Sequence, residues 1–168
     1  MARRVRDIDR GMRAAVRRVL RASRASVSIG VHGDSPSYVR GQSEPATGPQ
    51  VAAFQEFGTL DMYGVSEPTR GREGVPQRSY IRSTVDENLG LYRRIEANAV
   101  GRIVDGTMEP KRAMGLIGEK VKADIQRKIV ELDDPPNTEA TIEAKGSSNP
   151  LIDTGQLRQS IQYKVRGA

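Results

Sequence analysis

At 168 residues the chain has room for a single hydrophobic core, as one domain or a domain with appendages, and its 36 Leu, Ile, Val and Phe residues make that core thin. Without Trp, with two Phe and with 17 Gly and 9 Pro, several stretches are expected to be loops, some ordered only against a partner. The absence of Cys excludes disulfides, Cys-ligated zinc, iron-sulfur clusters and thiol nucleophiles; no apolar stretch approaches the ~20 residues of a membrane span, and no apolar run follows the basic start, so the sequence predicts a soluble protein of cytosolic origin with no membrane contact.

Charge is concentrated at the start. Residues 1–24 hold Arg3, Arg4, Arg6, Arg10, Arg13, Arg17, Arg18, Arg21 and Arg24 against Asp7 and Asp9, a local net of +7 that leaves −1 for the other 144 residues. Val5, Ile8, Met12, Val16 and Val19 recur at three and four, so 1–24 reads as an amphipathic helix with arginines around the rest of its circumference. Such an arm suits nucleic acid, an anionic surface or an acidic protein face, or it is a solvated face on a helix packed against its own domain. No aromatic residue is interleaved to stack on bases.

Residues 25–168 form the second unit. Val27, Ile29 and Val31 alternate with small residues and predict a half-buried strand ending at His32. The Pro-, Gly- and Ser-rich stretch 35–49 is a loop, and Val51, Phe54 and Phe57 predict a short helix closed by Gly58. A second loop, 60–77, exceeds the ~12–15 residues of an inert connection and is expected to be functional or ordered by a partner. Residues 79–82 read as a short strand leading into a capping box, Thr84 with Glu87, and so to a helix over 84–105 stopped by Gly106. Thr107 and Pro110 start a helix over 108–132, with a stripe of Met114, Ile117, Val121, Ile125, Ile129 and Leu132. Thr138 to Lys145 predicts one more short helix, and Asp153 a cap with Gln156 at the third position. Ile161, Tyr163 and Val165 predict a terminal strand paired antiparallel with 26–32. The fold class is α+β: a small antiparallel sheet packed against two long helices, with an Arg-rich N-terminal helix and long loops.

No enzyme reading holds at this level. Asp153-Thr154-Gly155 matches the catalytic turn of aspartic proteases, but that chemistry needs two such carboxylates, and the 13 residues after Gly155 are too few for the rest of that fold. His32 is the lone histidine, which excludes a Ser-His-Asp set or a paired-His zinc site within one chain, and no phosphate-cradling glycine motif occurs. The expectation is therefore no catalytic residues, no metal ligands and no cofactor.

Three blocks carry a resemblance. They are the "EFG" block around Phe54, Glu56, Phe57 and Gly58, the "P-x-R-x-[FY]-[IL]-R" block of Pro76, Arg78, Tyr80 and Arg82, and the "PL[IV]DTG-x-L-x-x-S" block of Leu151, Asp153, Thr154, Gly155, Leu157 and Ser160, with Pro135 and Pro136 between the last two. In this order, with two helices between the second and third, residues 26–166 resemble tailed-bacteriophage neck proteins, of the kind called tail-completion, virion-morphogenesis or head-to-tail joining proteins. The chain departs from that pattern in the Gly/Pro-rich stretch 60–74 and in the arginine helix. What the resemblance implies is a non-enzymatic ring of identical subunits at the head-tail junction of the virion, assembled in the host cytoplasm. Its partners would be neighbouring neck, portal-side connector and tail-tube or terminator proteins, with possible contact to packaged DNA. Read on their own chemistry, Phe54 and Phe57 would anchor a helix, and Arg78 and Arg82 would project together toward a carboxylate-bearing neighbour. The alternative reading is a stand-alone nucleic-acid-binding protein working through the arginine helix.

Overall fold

The computed structural model describes residues 11–38, 46–59 and 75–167. Its elements in chain order are α1 (Met12–Ala22), β1 (Ser26–Val31), α2 (Gly48–Phe57), α3 (Ile81–Val104), α4 (Pro110–Glu131), α5 (Glu139–Lys145), α6 (Gln156–Ser160) and β2 (Ile161–Arg166). The fold is α+β, a two-stranded antiparallel sheet packed on helices.

The strands pair first with last. Val27 faces Val165, Ile29 faces Tyr163 and Val31 faces Ile161, so the β-branched residues of β1 share one face with the apolar residues of β2. That face lies on α4, whose stripe Ile117, Val121, Ile125 and Ile129 is buried as the spacing requires. Gly118 makes the approach close: a Cβ there would stand 2.6 Å from the Tyr163 ring and 2.9 Å from Val27. Tyr80, Tyr92, Ala52, Leu151, Leu157 and Ile161 complete the main core. A second cluster of Ala99, Ile103, Met108 and Ala113 fills the other end of the α3–α4 hairpin, with Ala22 of α1 packed against it.

Several sequence expectations are corrected. Residues 79–82 are not a strand: α3 begins at Ile81, and Thr84 lies inside it with its hydroxyl donating to the Tyr80 carbonyl at 2.6 Å. The start of α3 is capped not by a Thr84–Glu87 box but from α2, at the amides of Tyr80, Ile81 and Arg82. The 3.6-residue period puts Leu89 on one stripe with Val85, Tyr92, Ile95, Ala99 and Ile103, and Leu89 is 40% exposed. Thr107 closes α3, its amide and hydroxyl both donating to the Arg102 carbonyl, while Pro110 opens α4 as expected. The helix over 48–57 is longer at its start than the apolar spacing indicated, because Thr47 and Gln50 form a reciprocal capping box with Pro49 in the first turn. Helix α5 is capped by Thr138 and ends at Gly146 in the left-handed region, as read. Residues 1–10, 39–45 and 60–74, which include Arg3, Arg4, Arg6 and Arg10 and most of both long loops, lie outside the described residues. The flanks of the two loops are closed on themselves: Tyr38 and Ala46 exchange backbone bonds, and Thr59 accepts from the Val75 amide through its hydroxyl and donates to the Val75 carbonyl.

Candidate functional site

The first two blocks meet in one knot. A helix that starts without its own cap leaves amides unpaired, and α3 starts at Ile81 with no cap from the side chain of Tyr80. Glu56, near the C-terminal end of α2, closes it from across the fold. Its carboxylate accepts from the amides of Tyr80 and Ile81 at 2.8 Å and Arg82 at 3.1 Å, from the Ser79 hydroxyl at 2.8 Å and from Arg82 Nε at 3.0 Å. A carboxylate at a helix N-terminus is favoured by the aligned peptide dipoles, and here it is 3% exposed, so each oxygen needs the partners it has.

Around that carboxylate the other motif residues have distinct tasks. Tyr80 is fully buried and its hydroxyl donates to the Ala52 carbonyl at 3.3 Å; burial, and then the nearby Glu56 charge, push its pKa up. Gly58, at φ 73°, ends α2 where a Cβ would lie 2.9 Å from the Val75 carbonyl, so the segment entering Pro76 can run against it. Pro76 is exposed and Phe54 partly buried. Phe57 is not the anchor its spacing suggested: it is 45% exposed, with the Arg82 guanidinium 4.8 Å above its ring. The buried row of α2 is Gly48, Ala52 and Glu56.

The two arginines do not project together toward a neighbour. Arg82 turns back to Glu56, while Arg78 is buried and clasps the chain after α4, donating from Nε to the Pro135 carbonyl at 2.9 Å and from Nη2 to the Pro136 carbonyl at 3.2 Å and Asn137 Oδ1 at 3.3 Å. Burial lowers the Arg78 pKa, and neutral carbonyls fitted to the guanidinium fork accept its protons in place of water. Asn137 passes the connection on by donating to the carbonyls of Ser148 and Asn149, next to the third block.

In that block Leu151 and Leu157 are buried, and Ser160, also buried, donates to the Leu157 carbonyl at 2.7 Å just before β2 begins. The cap position of α6 is Gly155 at φ 77°, not Asp153; the Thr154 hydroxyl accepts from the Gln156 amide at 3.4 Å, and Asp153 and Thr154 are exposed. Asn149 organises the turn, its Oδ1 accepting from the amides of Leu151 and Ile152 and its Nδ2 donating to the Val130 carbonyl.

Of the two sequence readings of the arginine helix, the one that packs its apolar stripe on its own domain is not met. Its apolar stripe does not pack on the body: Met12 is 70% and Leu20 60% exposed, with Val16 and Val19 close to half exposed. The inward side carries Arg18 and Ala22 instead. Arg18 Nη2 donates to the Val104 carbonyl at 2.7 Å, placing a cation at the negative end of α3, so this arginine is an internal fastener and not a partner-facing one. Arg21 lies 3.9 Å from Glu109 across open solvent, and Arg13, Arg17 and Arg24 are exposed.

Two features had no place in the sequence reading. Asp124, 3% exposed on α4, accepts from Tyr92 Oη at 2.9 Å, Lys120 Nζ at 2.6 Å and Arg127 Nη2 at 2.9 Å. Burial acts to raise its pKa, but the hydrogen bonds from Lys120 and Tyr92 outweigh it and hold the carboxyl below the ordinary value. At the end of the hairpin distant from α1, an open cleft of about 290 Å³ is lined by Gln77, Arg78, Ser79 and Ser83 from the start of α3 and by Lys128, Glu131, Leu132, Asp133 and Asp134 from the end of α4. Among the described residues no three His, Asp or Glu side chains converge in a metal-holding arrangement, and no helix is long and apolar enough to cross a membrane. Compared with protein-family models, curated proteins and solved structures, the chain matches none.

Proposed function

We propose that the chain is a structural subunit of a tailed-phage neck, a non-enzymatic ring protein that completes the tail or joins it to the DNA-filled head. The observation that carries this reading is the way the resemblance-bearing blocks depend on one another. Glu56 of the first block holds the backbone of the second, Arg78 of the second holds the Pro135-Pro136 segment, and Asn137 ties that segment to the turn before Leu151. Residues spread over about a hundred positions thus serve one fastening, which suits blocks that define a fold together. In this reading the subunit is assembled in the host cytoplasm and resides in the virion, beside portal-side connector and tail-tube or terminator proteins.

Cryo-electron microscopy of purified particles tests it, the expected result being density for this α+β subunit as a ring between portal and tail tube. Particles of full infectivity that lack the chain would remove the proposal. The nucleic-acid reading keeps one observation in its favour, the exposed Arg13 and Arg17 on α1 and Arg24 just past it. It requires that the isolated chain bind duplex DNA with the steep salt dependence of phosphate contacts, roughly one unit of log-log slope per phosphate neutralised.

A further inference from the structure

We infer that the chain associates head to tail with a second copy of itself, α1 of one subunit lying on the acidic end of the next. The two surfaces occupy opposite ends of the α3–α4 hairpin. Helix α1 is fastened where α3 stops, by Arg18 at Val104, and beside the start of α4, where Arg21 approaches Glu109. The cleft lies where α3 starts and α4 stops, and the helical rise separates the ends by about 30 Å.

Their chemistry is complementary. Met12, Val16, Val19 and Leu20 form an apolar strip that nothing in the described fold covers, with Arg17 beside it on the same short helix and Arg24 exposed just past the helix end at Ala22. At the other end, Glu131, Asp133 and Asp134 line the cleft, and the chain from 131 to 143 contains no Lys or Arg. The cations at the cleft are already engaged: Lys128 bonds Glu87 at 2.7 Å, and Arg78 is buried against backbone carbonyls. Glu131 has only a distant exposed partner, Arg127 at 3.8 Å, and the half-exposed Val130 and the lining residue Leu132 give this end an apolar component of its own. A surface that is basic and apolar at one end of a molecule, acidic and apolar at the other, finds a complement to both ends on another copy, and such a heterologous contact extends until it closes on itself. The contact rests on the charges and exposures of this chain; only its closure into a ring rests on the neck reading.

Sedimentation of the purified full-length chain tests the contact. Wild type should associate at low salt and dissociate as ionic strength rises, because both charge sets are exposed. Reversing one surface with Arg17→Glu and Arg24→Glu, or the other with Asp133→Arg and Asp134→Arg, should weaken association by roughly tenfold or more. An equimolar mixture of the two variants should regain it, since each then meets a complementary end. The mixture also answers the concern of misfolding, because an unfolded chain would not restore assembly. A wild-type monomer at every concentration, reversal variants that assemble like wild type, or a mixture that stays monomeric would each overturn the proposal. So would duplex DNA binding that is lost in Arg17→Glu with no change in oligomeric state, which would assign the helix to nucleic acid. A chain that assembles this way yet is absent from particles would refute only the neck reading, and a chain found in particles but monomeric and indifferent to reversal would refute only this contact.

Discussion

The carboxylate of Glu56 accepts the amide of Tyr80 at 2.8 Å across a sequence separation of 24 residues, which makes the C-terminal end of α2 the cap of α3. A cap delivered by another element joins two elements at the cost of depending on both. Glu56→Ala leaves the first amides of α3 buried without acceptors and Arg82 without its carboxylate, and should cost about 3–5 kcal/mol, the range for breaking a buried charged network. Arg82→Ala should cost less than about 1 kcal/mol, because that side chain is half exposed and its ion pair is screened by solvent. Urea unfolding of both variants measures the difference; similar midpoints would show that Glu56 is not the fastening.

Gly118 and Gly90 are both helical glycines, and replacing them by alanine should have opposite signs. At Gly118 the new methyl would overlap the Tyr163 ring and Val27, so β1 and β2 would have to move off α4, at about 1–3 kcal/mol. At Gly90 a Cβ meets nothing within 4 Å, and Gly90→Ala should stabilise by about 0.5–1 kcal/mol through helix propensity alone. Thermal melts that move in the same direction for the two would contradict the close packing of α4 on the sheet.

Local periodicity carries the parts of this fold that were legible in the sequence. The alternation of Val27, Ile29 and Val31 and of Ile161, Tyr163 and Val165 specifies both strands and their shared face, and the stripe from Ile117 to Ile129 specifies the inward side of α4. What escaped was set by partners remote in sequence. Thr84 and Glu87 form a plausible local box, but Glu56 reaches the α3 amides first and the helix starts three residues earlier. Phe57 looked like an anchor because aromatic residues bury much area, yet the buried row of α2 is Gly48, Ala52 and Glu56, with Gly48 close to Val31, Ser35 and Pro36 and with Ala52 and Glu56 on Tyr80, polar where the α3 amides need it. Asp124 did leave a signal: it occupies an inward position three after Val121, with Lys120 and Arg127 one turn to either side, a pattern that predicts a paired buried carboxylate.

That carboxylate gives the protein an acid limb. The Asp124 pKa is lowered in the folded state, so its stabilisation is complete above the ordinary carboxylate value and is lost as pH falls through the lowered one. Wild type should therefore lose stability below about pH 4, and Asp124→Asn should lose part of that dependence while being less stable at neutral pH. The alkaline limb has the opposite origin. Burial, and for Tyr92 also the bond to Asp124, raises the pKa of Tyr80 and Tyr92, so their stabilisation is complete below about pH 10 and is lost as pH rises above it. Chemical unfolding at a series of pH values checks both limbs; an Asp124→Asn profile parallel to wild type in acid would exclude Asp124 as the source.

Arg18 should govern whether α1 stays on the body. The helix contains no buried residue, and an isolated 11-residue helix is marginal in water, so its order depends on how it is fastened. Arg21 and Glu109 are exposed at 3.9 Å and contribute little. Arg18, bonded to the Val104 carbonyl at the negative end of α3, and Ala22 on the Ala99–Ile103 cluster remain. Arg18→Ala should therefore raise amide hydrogen exchange across residues 12–22 to nearly that of a free peptide, while the free energy of global unfolding changes by less than about 1 kcal/mol, since α1 opens as its own unit. A second substitution reaches the same guanidinium from the other side. Gly106, at φ 77°, sits where a Cβ would come within 2.7 Å of Arg18 Nη1, so Gly106→Ala should displace the arginine and loosen α1 in the same way, with an added ~1 kcal/mol of backbone strain at the end of α3. Unchanged protection of residues 12–22 in both variants would mean that α1 is held by something other than Arg18.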